Sequence, residues 1–186
     1  MVEGIVLAGG YSSRFKSNKM EYLINNQPII KHTVSTMKTV CQKVIVVTGH
    51  FHEEIVQLFK NDSSVTIIHN SDYSQGMYSS VKLGVSQMER DFFIIPGDFP
   101  YVEESVYRNI LQGSKSIRVP GNSNRLGHPI FISLKHKEDI LSDKYDNLKS
   151  FRDDHDFEVI QVESDSILRD IDKISDVDIL DDKELI

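Results

Sequence analysis

A glycine pair, two adjacent serines and two cations follow the first apolar run of the chain, which reads LAGGYSSRFKSNKM over residues 7–20. The glycines permit positive φ and let backbone N–H groups approach a ligand without a Cβ in the way. The serines add hydroxyl donors, and the cations complete the concave, positive row of groups that a polyphosphate needs. The pattern therefore predicts a polyphosphate-binding turn formed by Leu7, Ala8, Gly9, Gly10, Ser12, Ser13, Arg14 and Lys19.

The spacing of this turn excludes two common phosphate-binding patterns. It is neither G-x-x-x-x-G-K-[ST], which marks a P-loop, nor G-x-G-x-x-G, which marks a dinucleotide-binding turn. A polyphosphate would therefore be held by a glycine turn of another kind.

A carboxylate follows another apolar run, in IIPGDFPYV at residues 94–102. Asp98 lies between Gly97 and Pro100, so it would leave a predicted strand in a rigid turn. Mg²⁺ prefers one or two carboxylates together with phosphate oxygens. We therefore expect Asp98 to be a ligand of Mg²⁺.

Two more carboxylates are candidates for a second metal ligand. They occur in RDIDKISD at residues 169–176, where Asp170 and Asp172 would lie on the same side of an extended segment. The residues alone do not choose between them.

Gly76 precedes a predicted helix whose first turn carries Ser79 and Ser80. Backbone N–H groups and hydroxyls at the start of a helix point towards whatever occupies the space in front of it. These three residues are therefore further candidates for contact with a bound ligand.

A histidine with little backbone freedom lies in RLGHPIFI, where His128 stands between Gly127 and Pro129. A lone histidine is more often structural than functional, so the residues by themselves assign it no role.

Short runs rich in Val and Ile alternate with helical periodicity, which predicts an α/β fold with a mainly parallel central sheet. The runs are apolar on both faces, as expected for strands covered by helices on both sides. We predict strands at 4–8, 43–48, 65–69, 92–96, 116–119, 127–132 and 157–162. We predict helices at 28–40, 53–60, 77–88, 103–112, 134–141 and 177–185. In such sheets ligands bind beyond the carboxyl ends of the strands, which is where the candidate residues fall.

The 186 residues suit a single domain, which we expect to span 1–186. The net charge of −7 argues against broad nucleic-acid binding, which relies on basic surface. The single cysteine excludes an internal disulfide framework. No apolar run approaches the roughly 18 residues of a membrane span, and the N-terminus lacks a leader pattern, so we expect a cytoplasmic protein.

Taken in order, these segments resemble the MobA-like NTP transferases, and among them the molybdenum cofactor cytidylyltransferase and hydroxylase accessory branch. The matching segments extend from residue 4 to residue 178 and include LAGGYSSRFKSNKM, the stretch from Asn70 to Gly84 with its core QGMYSSVKLG, and then PGDFPYV, GHPIFI and DIDKISD. Each segment is weak evidence alone, whereas the ordered set is specific.

The resemblance implies a Rossmann-like nucleotidyltransferase fold and a Mg²⁺-dependent transfer of CMP or GMP, from CTP or GTP, to the phosphate of a molybdopterin-type cofactor. By the same resemblance, Arg14 and Lys19 would act on the triphosphate as catalytic residues. Asp98 would hold Mg²⁺, with Asp172 as its second protein ligand. A molybdenum hydroxylase apoenzyme would be a partner of the enzyme.

The resemblance also assigns the remaining candidates to pockets. The segment with Gly76, Ser79 and Ser80 would contact the nucleotide. The segment Gly127–His128–Pro129 would help to bind the acceptor.

The chain departs from the family pattern at three places. Residues 14–19 read RFKSNK where the family commonly has R-M-G-x-x-K, so Lys16 replaces a glycine and predicts a differently shaped loop. LAGG at 7–10 is typical of guanylyltransferases, whereas the later motifs favour the cytidylyltransferases, which usually carry LAAG. DIDK at 170–173 replaces the frequent DIDT. The choice between CTP and GTP therefore stays open.

Two other functions agree with the residues. One is transfer to another phosphorylated acceptor, such as a sugar phosphate or phosphocholine. The other is non-catalytic binding of a nucleotide or pterin by an insertion chaperone.

Overall fold

The computed structural model describes residues 1–12, 15, 17–173 and 176. The strands β1 to β10 are Val2–Ala8, Leu23–Ile24, Gln27–Pro28, Cys41–Thr48, Val65–His69, Phe92–Pro96, Ile117–Asn122, Arg125–Leu126, Ile130–Ile132 and Glu158–Gln161. The helices α1 to α6 are Ile29–Lys38, His52–Phe59, Met77–Ser86, Glu104–Leu111, Lys137–Leu141 and Leu148–Asp153. Short 3₁₀ turns occur at Lys19–Glu21, Tyr73–Gln75, Leu134–His136 and Asp165–Leu168.

The central sheet has the strand order β10-β7-β9-β6-β1-β4-β5, with β8 paired to β7. β1 runs parallel to both of its neighbours, β4 and β6. The pairs β4–β5 and β10–β7 are also parallel, whereas β9 is antiparallel to β6 and β7. The predicted mainly parallel sheet is therefore confirmed.

The two faces of the sheet carry separate apolar cores, because successive side chains of a strand point to opposite faces. In β1, Val6 and Ala8 pack into the core under α1, α2 and α4. Ile5 and Leu7 pack into the core under α3, α5 and α6. Helices therefore cover both faces, as the unbroken apolar runs predict.

The boundaries of several predicted elements are wrong by a few residues. Pro28 is the residue before α1 and not its first residue. The predicted strand at 127–132 is formed only by Ile130–Ile132, and the His128–Pro129 bond that precedes it is cis. The segment predicted as one helix at 134–141 is a 3₁₀ turn followed by α5. The helix predicted at 177–185 lies outside the described residues.

Helix α6 was not predicted from the sequence. It has only six residues and one fully buried apolar side chain, Phe151, so it shows no helical periodicity. Its start is fixed instead by Asn147, whose side-chain oxygen accepts a hydrogen bond from Ser150 N.

Over the described part of the chain, no helix combines the length and the apolar character that crossing a membrane requires.

Candidate functional site

The turns that follow β1 and β6 lie side by side because these two strands are parallel neighbours. Leu7 is in register with Pro96, and Gly97 N donates a hydrogen bond of 2.9 Å to Leu7 O. The sheet therefore brings the glycine turn and Asp98 to the same edge, as expected for ligand-binding turns of an open α/β sheet.

Lys19 reaches this edge from a 3₁₀ turn that Asn18 caps, with Asn18 Oδ1 accepting from Met20 N at 3.1 Å. Lys19 Nζ donates to Asp98 Oδ2 at 2.5 Å and to Ile171 O at 3.2 Å. It also lies 3.5 Å from Asp172 Oδ1. The side chains of Lys19 and Asp98 are only 15% and 12% exposed, so this pair is largely shielded from bulk water.

Three carboxylates converge beside Lys19. Asp98, Asp170 and Asp172 each offer one oxygen, and these oxygens lie within 4.8 Å of one another. Ile171 N donates to Asp98 O at 3.0 Å, which holds the later segment against the earlier turn. The pKa of Asp170 is raised, first by desolvation and then by the negative charges of Asp172 and Asp98.

This carboxylate set suits a divalent cation. Asp98 Oδ1 is buried and, among the described residues, has no hydrogen-bond partner. A buried acceptor of this kind is costly unless a donor or a metal ion contacts it. Both Asp170 and Asp172 lie close enough to Asp98 to bind the same ion. Either carboxylate could therefore be the second metal ligand, as the residues alone had left open.

A first cavity of about 280 Å³, which we call the glycine-turn cavity, opens beside this site. Its lining contains six of the residues predicted to bind nucleotide, namely Leu7, Gly9, Gly10, Lys19, Gly76 and Ser80. It is completed by Tyr11, Met20, Tyr73, Ser74, Met77, Pro96 and Asp98.

The glycines of this cavity act mainly by leaving space. A Cβ on Gly9 would lie 2.9 Å from Ser80 Oγ, whereas a Cβ on Gly10 would meet nothing within 4 Å. The positive φ that was expected for this pair is found instead at Ser12, at 48°, and at Gly76, at 102°.

Other predicted nucleotide-binding residues support the cavity without lining it. Ala8 is buried in the core. Ser12 Oγ accepts a hydrogen bond from Lys19 N at 3.2 Å, and Ser79 Oγ donates to Gly76 O at 2.8 Å. Their hydroxyls therefore hold the loops in shape. Ser13 and Arg14 lie outside the described residues.

Asn70 is a buried residue that positions two serines, a role that was not predicted from the sequence. Its Nδ2 donates to Ser79 Oγ at 2.8 Å and to Ser80 Oγ at 2.9 Å. Its Oδ1 accepts from Asp72 N at 3.0 Å. Asn70 thus joins the end of β5 to the start of α3, a link between distant residues that no local pattern reveals.

A second and larger cavity, of about 820 Å³, is also lined by Asp98. Two of the predicted acceptor residues, Gly127 and His128, line it, whereas the buried Pro129 does not. The two cavities share the residues Leu7, Lys19, Met77, Pro96 and Asp98. The ion pair of Lys19 with Asp98 therefore stands where the two cavities meet.

His128 is held as a neutral ring in the wall of the larger cavity. Burial and, to a smaller extent, the positive charge of Arg152 lower its pKa to about 4. His128 N donates to Ile167 O at 2.9 Å, and Nδ1 is buried without a hydrogen-bond partner among the described residues.

Comparison with known proteins agrees with this arrangement. Residues 4–157 match the MobA-like NTP transferase domain. The chain is 33% identical to the molybdenum cofactor cytidylyltransferase of Escherichia coli K12 over 135 residues, which are 71% of this chain and 70% of that protein. It is 30% identical to a probable molybdenum cofactor guanylyltransferase of Pyrococcus horikoshii over 97 residues, 51% of this chain and 47% of that protein. The extent of a single domain over 1–186 stays a prediction.

Solved structures share the fold. A Methanothermobacter nucleotidyl transferase superposes with a TM-score of 0.84 at 20% identity, covering 100% of this chain and 98% of that one. A Mycobacterium tuberculosis H37Rv protein, solved in complex with manganese, superposes with a TM-score of 0.76 at 17% identity, covering 96% and 97%. The matched segment, the cytidylyltransferase relative and the fold together confirm the resemblance: this chain belongs to the MobA-like NTP transferase family of nucleotidyltransferases.

Proposed function

We propose that this chain transfers CMP or GMP from CTP or GTP to the phosphate of a molybdopterin-type cofactor and releases pyrophosphate. The observation that carries the proposal is the pair of cavities that share Lys19 and Asp98. A transferase needs two substrates held against each other, with groups that neutralise charge between them. The names of the relatives supply the acceptor class.

The glycine-turn cavity is the proposed nucleotide site. Gly10 leaves open space in front of the backbone, so phosphate oxygens can approach the N–H groups of the turn. Tyr11 and Tyr73 lie beside the cavity with their rings 5.5 Å apart, and Tyr11 is 52% exposed. Exposed aromatic faces are suited to stacking on a base. Arg14 remains a proposed triphosphate contact on the sequence alone.

Mg²⁺ is the proposed cofactor, held by Asp98 together with Asp172 or Asp170. The buried Oδ1 of Asp98 and the hard oxygen donors around it support this choice. When bound, such an ion would polarise phosphate oxygens and orient the two substrates.

In the proposed reaction, an oxygen of the acceptor's phosphate attacks the α-phosphorus of the NTP. A new bond joins that oxygen to the α-phosphorus, and the bond from the α-phosphorus to the β-bridging oxygen breaks. The electron pair leaves with pyrophosphate. Lys19 stabilises the charge that builds up on these oxygens, because its ammonium is already fixed at the junction of the two cavities. No covalent enzyme intermediate is needed.

The test is product formation with each NTP in turn. The protein is incubated with Mg²⁺, one NTP and a reduced molybdopterin acceptor, pyrophosphate is measured, and the product is identified by mass. We expect release with CTP or GTP and a product heavier by the corresponding NMP. Release only with a sugar phosphate or phosphocholine would replace the proposed acceptor, and nucleotide binding without any release would favour an insertion chaperone. Transfer of the product to a molybdenum hydroxylase apoenzyme stays a prediction.

A further inference from the structure

Three side chains of the types that bind metal ions come together outside the candidate site. His136, Asp139 and His155 each offer one nitrogen or oxygen atom, and these atoms lie within 4.8 Å of one another. His136 ends the 3₁₀ turn before α5, Asp139 belongs to α5, and His155 follows α6. We call this set the histidine cluster. None of its residues lines either of the two cavities described above.

The ring of His155 has only one possible arrangement of donor and acceptor when it is neutral. Nδ1 lies 2.7 Å from Phe151 O, and since a carbonyl oxygen only accepts, Nδ1 must carry the hydrogen. Nε2 then presents a lone pair, and it lies 2.8 Å from Asp139 Oδ2. Two acceptors repel each other at this distance. The contact therefore requires a cation, which is either a proton on Nε2 or a metal ion bound by both atoms.

A metal ion would use this arrangement more fully than a proton does. Metal-bound histidines typically donate their other ring N–H to a backbone carbonyl or a carboxylate, as His155 does to Phe151. A proton on Nε2 would place a positive imidazolium beside the ring of His136, whose centre is 5.0 Å away. Two imidazoles that bind one tetrahedral Zn²⁺ ion also have their centres about 5 Å apart. One metal ion could thus be bound by both rings.

His136 is oriented and kept neutral by its surroundings. Its Nε2 lies 2.9 Å from Ser116 Oγ, which fixes the direction of the ring. Desolvation lowers the pKa of His136, and the positive charges of His155 and Lys135 lower it as well, against the opposing effect of Asp139. A neutral imidazole is the form that binds metal ions.

The chemistry and the exposure of the histidine cluster favour a transition metal. Imidazole nitrogen suits Zn²⁺, whereas Mg²⁺ prefers a set of oxygen ligands. The side chains of His155 and Asp139 are 19% and 33% exposed, so an ion could reach them from solvent. A water molecule would complete four-coordination.

The histidine cluster lies where α5 and α6 meet. Phe151, the fully buried apolar side chain of α6, has its ring centre 5.8 Å from that of His136 and 4.5 Å from that of His155. A helix of six residues gains little stability from its own backbone and depends on such tertiary contacts. An ion bound to both rings would therefore fasten the end of α6 to α5.

We propose that His136, Asp139 and His155 bind one Zn²⁺ ion, which joins α5 to the end of α6. The ion takes the place of the proton between Nε2 of His155 and Asp139, and any proton on that nitrogen passes to solvent. This site is separate from the carboxylate set around Asp98, and it does not depend on the proposed function.

The test titrates metal-free protein with Zn²⁺ alone and measures the heat of binding. It uses the Asp98→Asn variant, because this substitution removes a carboxylate from the other set that suits a divalent cation. We expect one Zn²⁺ ion per chain that excess Mg²⁺ does not displace. Adding His155→Gln should weaken Zn²⁺ binding by about 100-fold or more, since loss of even a hydrogen-bond partner of a metal ligand costs roughly 10- to 100-fold.

Co²⁺ gives a second readout through its visible absorption, which reports the geometry of its site. The Asp98→Asn variant should show the bands of a tetrahedral site, and adding His136→Gln should remove them. If His155→Gln fails to fold, Asp139→Asn keeps the size of its side chain and should also weaken Zn²⁺ binding.

His69→Gln in the same background is the matched control. His69 is exposed on β5, at the edge of the sheet, and it stacks on His52 with ring centres 4.5 Å apart. We expect this variant to bind Zn²⁺ as the background protein does. Loss of binding with His69→Gln but not with His155→Gln would move the ion to that pair of rings and overturn the proposal.

Absence of Zn²⁺ binding by the Asp98→Asn variant would also overturn it. A proton alone would then hold Nε2 of His155 against Asp139. Neither outcome changes the proposed function, which pyrophosphate release with Mg²⁺ tests separately.

Discussion

Lys19 Nζ lies 2.5 Å from Asp98 Oδ2, although the two residues are far apart in the sequence and come from turns after different strands. The contact forms because β1 and β6 are parallel neighbours whose carboxyl ends meet at one edge. In the absence of substrates the ammonium of Lys19 thus neutralises a carboxylate that we propose as a metal ligand. The chemistry of the site should therefore depend on how the two charges are shared between protein, cation and phosphate.

Asp98→Asn should lower turnover by about 10²- to 10³-fold, the scale of removing one electrostatic stabiliser. The amide keeps the size of the side chain and removes the charge that would hold the cation. The measurement is pyrophosphate release under saturating NTP and acceptor. Asp62→Asn is the control, because Asp62 forms an exposed ion pair with Lys38 at 2.9 Å, outside the site. Equal rates for the two variants would contradict the role of Asp98.

Lys19→Gln should separate metal binding from catalysis. Removing the ammonium takes a positive charge away from Asp98 and Asp172, so Mn²⁺ without nucleotide should bind about tenfold more tightly. Turnover should nevertheless fall, since the cation that stabilises the transferred phosphates is lost. Calorimetry with Mn²⁺ and pyrophosphate release measure the two effects. A variant that binds Mn²⁺ no more tightly than the wild type would show that Lys19 does not compete with the metal.

Gly10→Ala and Gly127→Ala should differ in stability although the chemical change is the same. A Cβ on Gly127 would lie 2.3 Å from the backbone oxygen of Ile167, whereas a Cβ on Gly10 would meet nothing within 4 Å. We expect Gly127→Ala to lose about 1–3 kcal/mol of unfolding free energy, the usual range for overpacking. Gly10→Ala should fold normally and raise the KM for NTP. Urea unfolding measures the stability of the two variants, and steady-state kinetics measures the KM for NTP. Equal unfolding midpoints for the two variants would contradict the close contact at Gly127.

The central sheet and the edge where ligands bind could be predicted because their signals are local. Short Val- and Ile-rich runs predict buried strands, and a glycine turn or an aspartate directly after such a run predicts its place at the carboxyl edge. The contact between Lys19 and Asp98 depends on the order of the strands in the sheet, and this order is set by pairing between segments that are distant in the sequence. The sequence could name both residues but not their distance.

The residues whose places were not predicted from the sequence show no local signal of what they contact. Asn70 bonds to Ser79 and Ser80 across a turn, and although it begins a segment that matches the family, that segment does not indicate which groups its side chain would contact. Arg152 sits on a helix of one and a half turns, too short to show periodicity. Conversely, Ser79 was expected to face a ligand, but its hydroxyl is used by the loop itself. Side-chain direction at a helix start depends on the packing of the preceding loop.

His128 should make the stability of the protein depend on pH below neutrality. Its pKa is about 4 in the folded protein, against an ordinary value of 6.5. Between these values the unfolded chain binds a proton that the folded protein does not, so the free energy of unfolding falls as the pH is lowered from 6.5 to 4. The full shift corresponds to at most about 3 kcal/mol of unfolding free energy. Urea unfolding of the wild type and His128→Gln across this range measures the difference. As the pH falls towards 4, the wild type should lose stability relative to His128→Gln, because glutamine takes up no proton in the unfolded chain. A constant difference between them at every pH would mean that His128 takes up its proton in the folded protein as readily as in the unfolded chain.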